Sequence, residues 1–137
     1  MSEAKPVTAA QLTSISPSFA VPDVVEAAEY YCDKLGFQLL GYFLDPPVYA
    51  IVRRDSVIIH FGRIETNVPS SPNTIRREQG IDAYVWVNDV DVLCAEFRVR
   101  GVRIVDPPAK RVYGCYEMVV EDNNGLRIAF GMNIAEN

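Results

Sequence analysis

The chain states one pattern twice. Residues 18–36 read SFAVPDVVEAAEYYCDKLG and residues 84–101 read YVWVNDVDVLCAEFRVRG. Each runs from an alternating apolar stretch through Asp-Val into a helical segment that carries a Cys and aromatics and ends at Gly. Asp23 matches Asp89 at an offset of 66 residues, and Gly36 matches Gly101 at 65. Farther on, Ile59-His60-Phe61-Gly62 matches Ile128-Ala129-Phe130-Gly131 at 69. A duplicated unit constrains fold and site together, because pseudo-twofold symmetry brings equivalent positions of the two halves near one another.

Residues 1–12 read as a polar arm. Ile15 to Val21 reads as a strand, although Pro17 favours an edge or an irregular start. Asp23 is placed to cap a helix in which Val24, Ala27, Ala28, Tyr31 and Leu35 form one apolar stripe, closed by Gly36. Three strands follow: Phe37 to Leu44, Val48 to Val52 and Val57 to Gly62, with Asp45-Pro46-Pro47 as a turn. Residues 63–79 are polar and read as a linker. The second unit repeats the plan: a strand Ile81 to Val87, a helix from Asp89 to Arg100, a short strand Val102 to Val105, a turn at Asp106-Pro107-Pro108, a strand Val112 to Val120 and a strand Leu126 to Met132. Asn124-Gly125 suits a type I′ hairpin turn between the last two. The expectation is α+β: a first βαβββ module over residues 13–62, a second over 80–134, and eight strands in one cup-shaped mixed sheet with helices on the outer face.

Composition limits the partners. With 137 residues, the chain suffices for a single core. The net charge of −5 argues against nucleic-acid binding, which needs a basic face. No apolar run approaches the length of a membrane span, and the N-terminus lacks the apolar region of a secretory signal. Cys32, Cys94 and Cys115 are odd in number and scattered, which fits reduced thiols in the cytoplasm.

Three segments carry a resemblance: Asp23 to Phe37, with its Tyr-Tyr-x-x-x-Leu-Gly-Phe ending; AYVWVNDVDVLCAEF at 83–97; and YEMVVEDNNGLRIAFG at 116–131. In their order and duplication the chain resembles the glyoxalase / bleomycin-resistance / extradiol-dioxygenase superfamily, the vicinal oxygen chelate proteins. The resemblance implies paired modules forming a cup, commonly in a homodimer. Many members hold a divalent metal in the cup through His, Glu or Gln. Those positions fall here at Ser16, His60, Asp82 and Ala129. Only His60 and Asp82 ligate strongly, and two ligands fall short of the three usual for a catalytic zinc. Glu65 and Glu117 lie near in sequence, but no spacing joins them to the set. The expectation is therefore no cofactor, and a likeness to the metal-free, antibiotic-binding branch, whose members bind bulky, often cationic, partly aromatic molecules.

Alternation sorts the candidate ligand residues. Tyr84 and Trp86 share a face with Asp82, opposite Ala83, Val85 and Val87. His60 shares a face with Ile58 and Gly62, and Arg127 with Ala129 and Gly131. Tyr116 and Glu117 lie on opposite faces of their strand, and the sequence does not decide which face is inward. Phe43 and Tyr49 flank the Pro-Pro turn at the rim. The leading expectation is a cytoplasmic, homodimeric binder of a small, partly aromatic molecule. The alternative is a lyase or isomerase of the glyoxalase type, with His60 as base oriented by Asp82. A module with a closed cup is a third possibility.

Overall fold

Two aspartates start the helices in the same way. In the computed structural model, which describes residues 9–65, 72, 77 and 79–134, the Asp23 carboxylate accepts the amides of Val25 and Glu26, and Asp89 accepts that of Val92. These bonds satisfy orphan donors of the first turn. Both helices end at a left-handed glycine, Gly36 at φ 76° and Gly101 at φ 77°, a conformation that suits glycine because it lacks a Cβ.

The elements are β1 (Ser18–Val21), α1 (Val24–Leu35), β2 (Gln38–Phe43), β3 (Tyr49–Arg54), β4 (Val57–Arg63), β5 (Ala83–Trp86), α2 (Val90–Arg100), β6 (Arg103–Lys110), β7 (Cys115–Glu121) and β8 (Arg127–Asn133). They form two βαβββ modules of α+β class, as expected. The strands divide into two four-stranded mixed sheets, ordered β1-β4-β3-β2 and β5-β8-β7-β6, rather than one sheet of eight. Among the described residues no strand pair joins them. The repeat is exact in register: Ser18 lies beside His60, and Tyr84 beside Ala129. Most of the 63–79 linker lies outside the described residues.

Two local expectations are corrected. Asp106-Pro107-Pro108 is not a turn but lies inside β6, with register shifts on both sides of Asp106. An edge strand tolerates prolines at bulges because their missing N–H groups need no ladder partner. The hairpin at Asn124-Gly125 is not type I′, since Gly125 alone takes positive φ there. Asp122 instead gathers the amides of Asn124 and Leu126 on one carboxylate oxygen, as an Asx turn does.

Each sheet buries one face against its helix. Phe19, Val21, Ala50, Val52, Ile59 and Phe61 pack under α1, and Met118, Val120, Ile128 and Phe130 under α2, in one continuous apolar cluster. The helices also touch each other. A cleft of about 420 Å³ between the modules is walled by Leu35, Phe37 and Val57 from the first and Val85, Val87 and Phe130 from the second. Trp86 also borders this cleft; the contact between α1 and α2 shows that the helix-bearing sides confront one another.

Polar contacts lock this arrangement. Lys34 Nζ donates to the Arg100 carbonyl at 2.9 Å, and Arg100 Nη1 returns a bond to the Asp33 carbonyl at 3.0 Å. Each helix thereby receives a cation from the other at its C-terminus, where carbonyls lack helical partners. Arg54 reaches from the end of β3 to Glu96 of α2 through two bonds of 2.7 and 2.9 Å. Tyr31 of α1 donates to Asp122 of the β7–β8 turn at 2.7 Å, with both residues buried.

Removing that hydroxyl leaves a buried acceptor short of a partner. Tyr31→Phe is expected to destabilise the fold by about 1–3 kcal/mol in urea unfolding. Burial raises the Asp122 pKa more than its hydrogen bonds lower it. A carboxyl that holds its proton more tightly when folded contributes fully below the unfolded pKa, and its contribution declines as pH rises through the folded value. Unfolding of wild type and Asp122→Asn across the acid range should therefore show the wild type losing ground to the variant as pH increases. A relative gain would contradict this assignment.

Candidate functional site

The sheet faces turned away from the helices carry the aromatic and ionisable side chains. On the first sheet, cross-strand pairing puts Phe43, Tyr49 and Gly62 in one row and Gly41, Ile51, His60 and Ser18 in the next. Tyr49 lies over Gly62, where a Cβ would touch its ring. From there its hydroxyl reaches His60 Nδ1 at 2.8 Å. Phe43 packs against Tyr49 with ring centroids 6.4 Å apart. His60 is half-buried, and among the described residues its Nε2 has no hydrogen-bond partner.

The second sheet repeats the device with different chemistry. Tyr84 lies over Gly131 so closely that a Cβ there would collide with the phenol oxygen. Gly131 is the repeat partner of Gly62. The Tyr84 hydroxyl donates to Glu117 Oε1 at 2.9 Å, and its ring packs against Trp86 with centroids 4.8 Å apart and planes tilted by 49°. Glu117 is only 5% exposed. A second phenol, Tyr113 in the β6–β7 turn, donates to the same oxygen at 2.6 Å, and Arg111 Nε lies 3.6 Å from the other. Two charge-assisted bonds and a nearby guanidinium compensate the buried carboxylate.

These contacts hold the phenols in the neutral form. Burial first, and then the bond to Glu117, pushes the Tyr84 pKa far above its ordinary value. The bond to Glu117 is the main reason that Tyr113 is pushed up to about 12. Both tyrosines therefore act as hydrogen-bond donors across the physiological range.

The sequence candidates divide accordingly. Tyr84, Trp86 and Glu117 come together on one face; Phe43, Tyr49 and His60 come together on the other. Tyr116 lies on the helix-bearing side, where it donates to Asp91 of α2 at 2.6 Å. Alternation puts Glu117 on the opposite face, which decides what the sequence left open. Arg127 is engaged by Glu121 across the strand pair at 3.3 Å. Asp82 accepts the Arg127 amide at 2.9 Å and lies near enough to Asp122 and Tyr31 to raise both their pKa values. Within this chain the hydrogen-bond partner of His60 Nδ1 is Tyr49.

The four positions suggested for a metal differ in their surroundings. Ser16 is exposed ahead of β1, His60 shares its Nδ1 with Tyr49, Asp82 holds a backbone amide, and Ala129 has no donor. Among the described residues no three His, Cys, Asp or Glu side chains converge as a metal site.

Sequence reasoning missed Tyr113 and Arg111, because the run Val112 to Val120 hid the turn before β7. It also missed the two glycine seats, although the match of Gly62 to Gly131 marked them.

Comparison with known proteins agrees with this architecture. Residues 11–130 match the profile of the Glyoxalase/Bleomycin resistance protein/Dioxygenase superfamily, and the chain belongs to it. Among solved structures, TioX from Micromonospora sp. ML1 superposes with a TM-score of 0.68 at 20% identity, covering 89% of this chain and 99% of its own. A glyoxalase/bleomycin resistance protein/dioxygenase from Nocardioides gives 0.66 at 21%, covering 96% and 89%. A putative glyoxalase family protein from Bacillus anthracis gives 0.68 at 21%, covering 92% and 99%. At these identities the likeness concerns the fold. No curated protein sequence matches the chain.

Gly131→Ala should displace Tyr84, shifting the emission of the single tryptophan and costing about 1–3 kcal/mol in chemical unfolding as an overpacked site does. Glu117→Gln should let Tyr113 ionise well below its wild-type value of about 12, read by ultraviolet titration of the tyrosines.

Proposed function

We propose that the protein binds and sequesters a small, partly aromatic molecule without a metal, in a cup assembled from two copies of the chain in the cytoplasm. The observation that carries this reading is the second sheet's open face. Tyr84 and Trp86 offer stacking surface there, beside a buried and compensated Glu117. Such a surface, apolar with a few placed polar groups, is what ligand sites provide. The donor set, with only His60 able to ligate on its face, supports metal independence. Three free cysteines suit a reducing compartment, and among the described residues no helix is long and apolar enough to cross a membrane.

The packing of the modules supports the second copy. Within one chain the helix-bearing sides meet, so the His60 face and the Trp86 face lie on opposite sides of the molecule. Leu39, Leu40, Phe43 and Leu44 on and beside the edge strand β2, and Trp86 on the edge strand β5, remain exposed. Exposed apolar patches of this kind mark contact surfaces. A partner related by a twofold axis places the first module's face of one chain against the second module's face of the other.

One observation favours a second function. Tyr49 holds His60 Nδ1 and leaves Nε2 open, the arrangement of an oriented base. In that case the protein is a metal-free lyase or isomerase. Turnover of hemithioacetals or epimerisable thioesters, lost in His60→Ala with binding retained, would establish it.

Native mass spectrometry of freshly purified protein tests the leading reading. The expected species is a dimer of the 15.3 kDa chain, carrying an organic ligand and no stoichiometric metal. A tightly bound divalent ion at one per chain would overturn it.

A further inference from the structure

The binding reading leaves Tyr113 unexplained. Glu117 accepts two phenols on the same oxygen, and they differ in how firmly they are held. Tyr84 projects from a strand, lies across Gly131 and packs at a tilt against Trp86. Its place is fixed by backbone register. Tyr113 sits in the turn Arg111 to Gly114 and is 61% exposed. Val112 beside it is fully exposed. The turn's backbone is held by the Arg111 amide on the Cys115 carbonyl and the Ile134 amide on the Gly114 carbonyl, so the freedom lies in the Tyr113 side chain. Apart from the bond from its hydroxyl to Glu117, no hydrogen bond or ring contact holds the Tyr113 side chain among the described residues.

That difference separates a structural donor from an exchangeable one. If Tyr113 rotates outward, Glu117 Oε1 loses a short charge-assisted bond and becomes open to whatever lies along the Tyr84 and Trp86 rings. A buried carboxylate short of a partner strongly favours a replacement donor. The replacement must match what leaves: a hydroxyl donor on a flat ring, set at hydrogen-bond distance from Glu117.

We propose that Tyr113 is an internal stand-in for a phenolic group of the ligand, held on Glu117 until a ligand phenol displaces it. This inference rests on the proposed binding function and names the chemistry that the second face selects. The ligand hydroxyl takes the seat on Glu117 Oε1, the ligand ring lies against Tyr84 and Trp86, and the Tyr113 side chain swings outward while the turn keeps its backbone bonds and Arg111 stays beside Glu117. Glu117 thus selects for a donor, and Tyr113 sets the threshold that a ligand must exceed.

The test uses p-cresol, which carries the Tyr side chain's ring and hydroxyl, and p-methylanisole, which has the same ring without a donor. Binding is read from Trp86 emission, excited to the red of phenol absorption. Tyr113→Ala is expected to bind p-cresol at least tenfold more tightly than wild type, because the competitor is gone. Tyr113→Phe should bind more tightly than wild type as well, since the hydroxyl holds the ring in place. p-Methylanisole should bind none of the three comparably, and adding Glu117→Gln to Tyr113→Ala should reduce p-cresol binding severalfold. Equal p-cresol affinity in wild type and Tyr113→Ala, or equal binding of the methyl ether, would overturn the inference. A co-purified ligand present alongside such a negative result would leave the binding function standing; absence of both would remove both.

Discussion

The contact between the helix-bearing sides of the two modules governs everything else in this molecule. Each sheet can bury only one face under its own helix, and here both helices meet in the interior. The result is one apolar core shared by both modules, fastened at its rim by Arg54 on Glu96, Tyr31 on Asp122, and the reciprocal pair Lys34 and Arg100. The fastening follows the sequence repeat. Lys34 and Arg100 are equivalent residues at the 66-residue offset, so their exchange of bonds marks the pseudo-twofold axis. With the interior filled this way, the two remaining sheet faces have no partner sheet or helix among the described residues.

Those faces carry the same structural device and different chemistry. On each, a tyrosine lies across a glycine of the strand beside it, Tyr49 on Gly62 and Tyr84 on Gly131. A Cβ at Gly131 would collide with the Tyr84 phenol, so glycine there is required by the close approach. Each phenol then reaches an ionisable group, His60 on one face and Glu117 on the other. Duplication supplied the frame, and divergence supplied a weak base on one side and a buried acid on the other.

Much of the fold was legible because the repeat fixes local chemistry. Asp23 and Asp89 as caps, Gly36 and Gly101 as stops, and the apolar stripes between them follow from residue type and spacing alone. The sorting of Tyr84 and Trp86 from Val85 and Val87 also follows, since strand alternation is local. What failed was tertiary. Whether Asp106-Pro107-Pro108 turns or bulges depends on β6 being an edge. That Tyr49 holds His60 Nδ1 depends on the pairing of β3 with β4, which residue spacing alone does not give. Tyr113 was invisible because a turn rich in Val and Tyr has the composition of a strand.

The proposed assembly is open to a direct distance measurement. A nitroxide is placed at position 60 of one chain, through His60→Cys with the three native cysteines replaced, and mixed with an isotope-labelled second chain carrying no nitroxide. Closure of the cup between copies predicts strong paramagnetic broadening of the amides of Tyr84, Trp86 and Gly131 in the labelled partner. If broadening of those amides is stronger when nitroxide and isotope reside on the same chain, the two faces meet within one molecule and the arrangement described here is wrong.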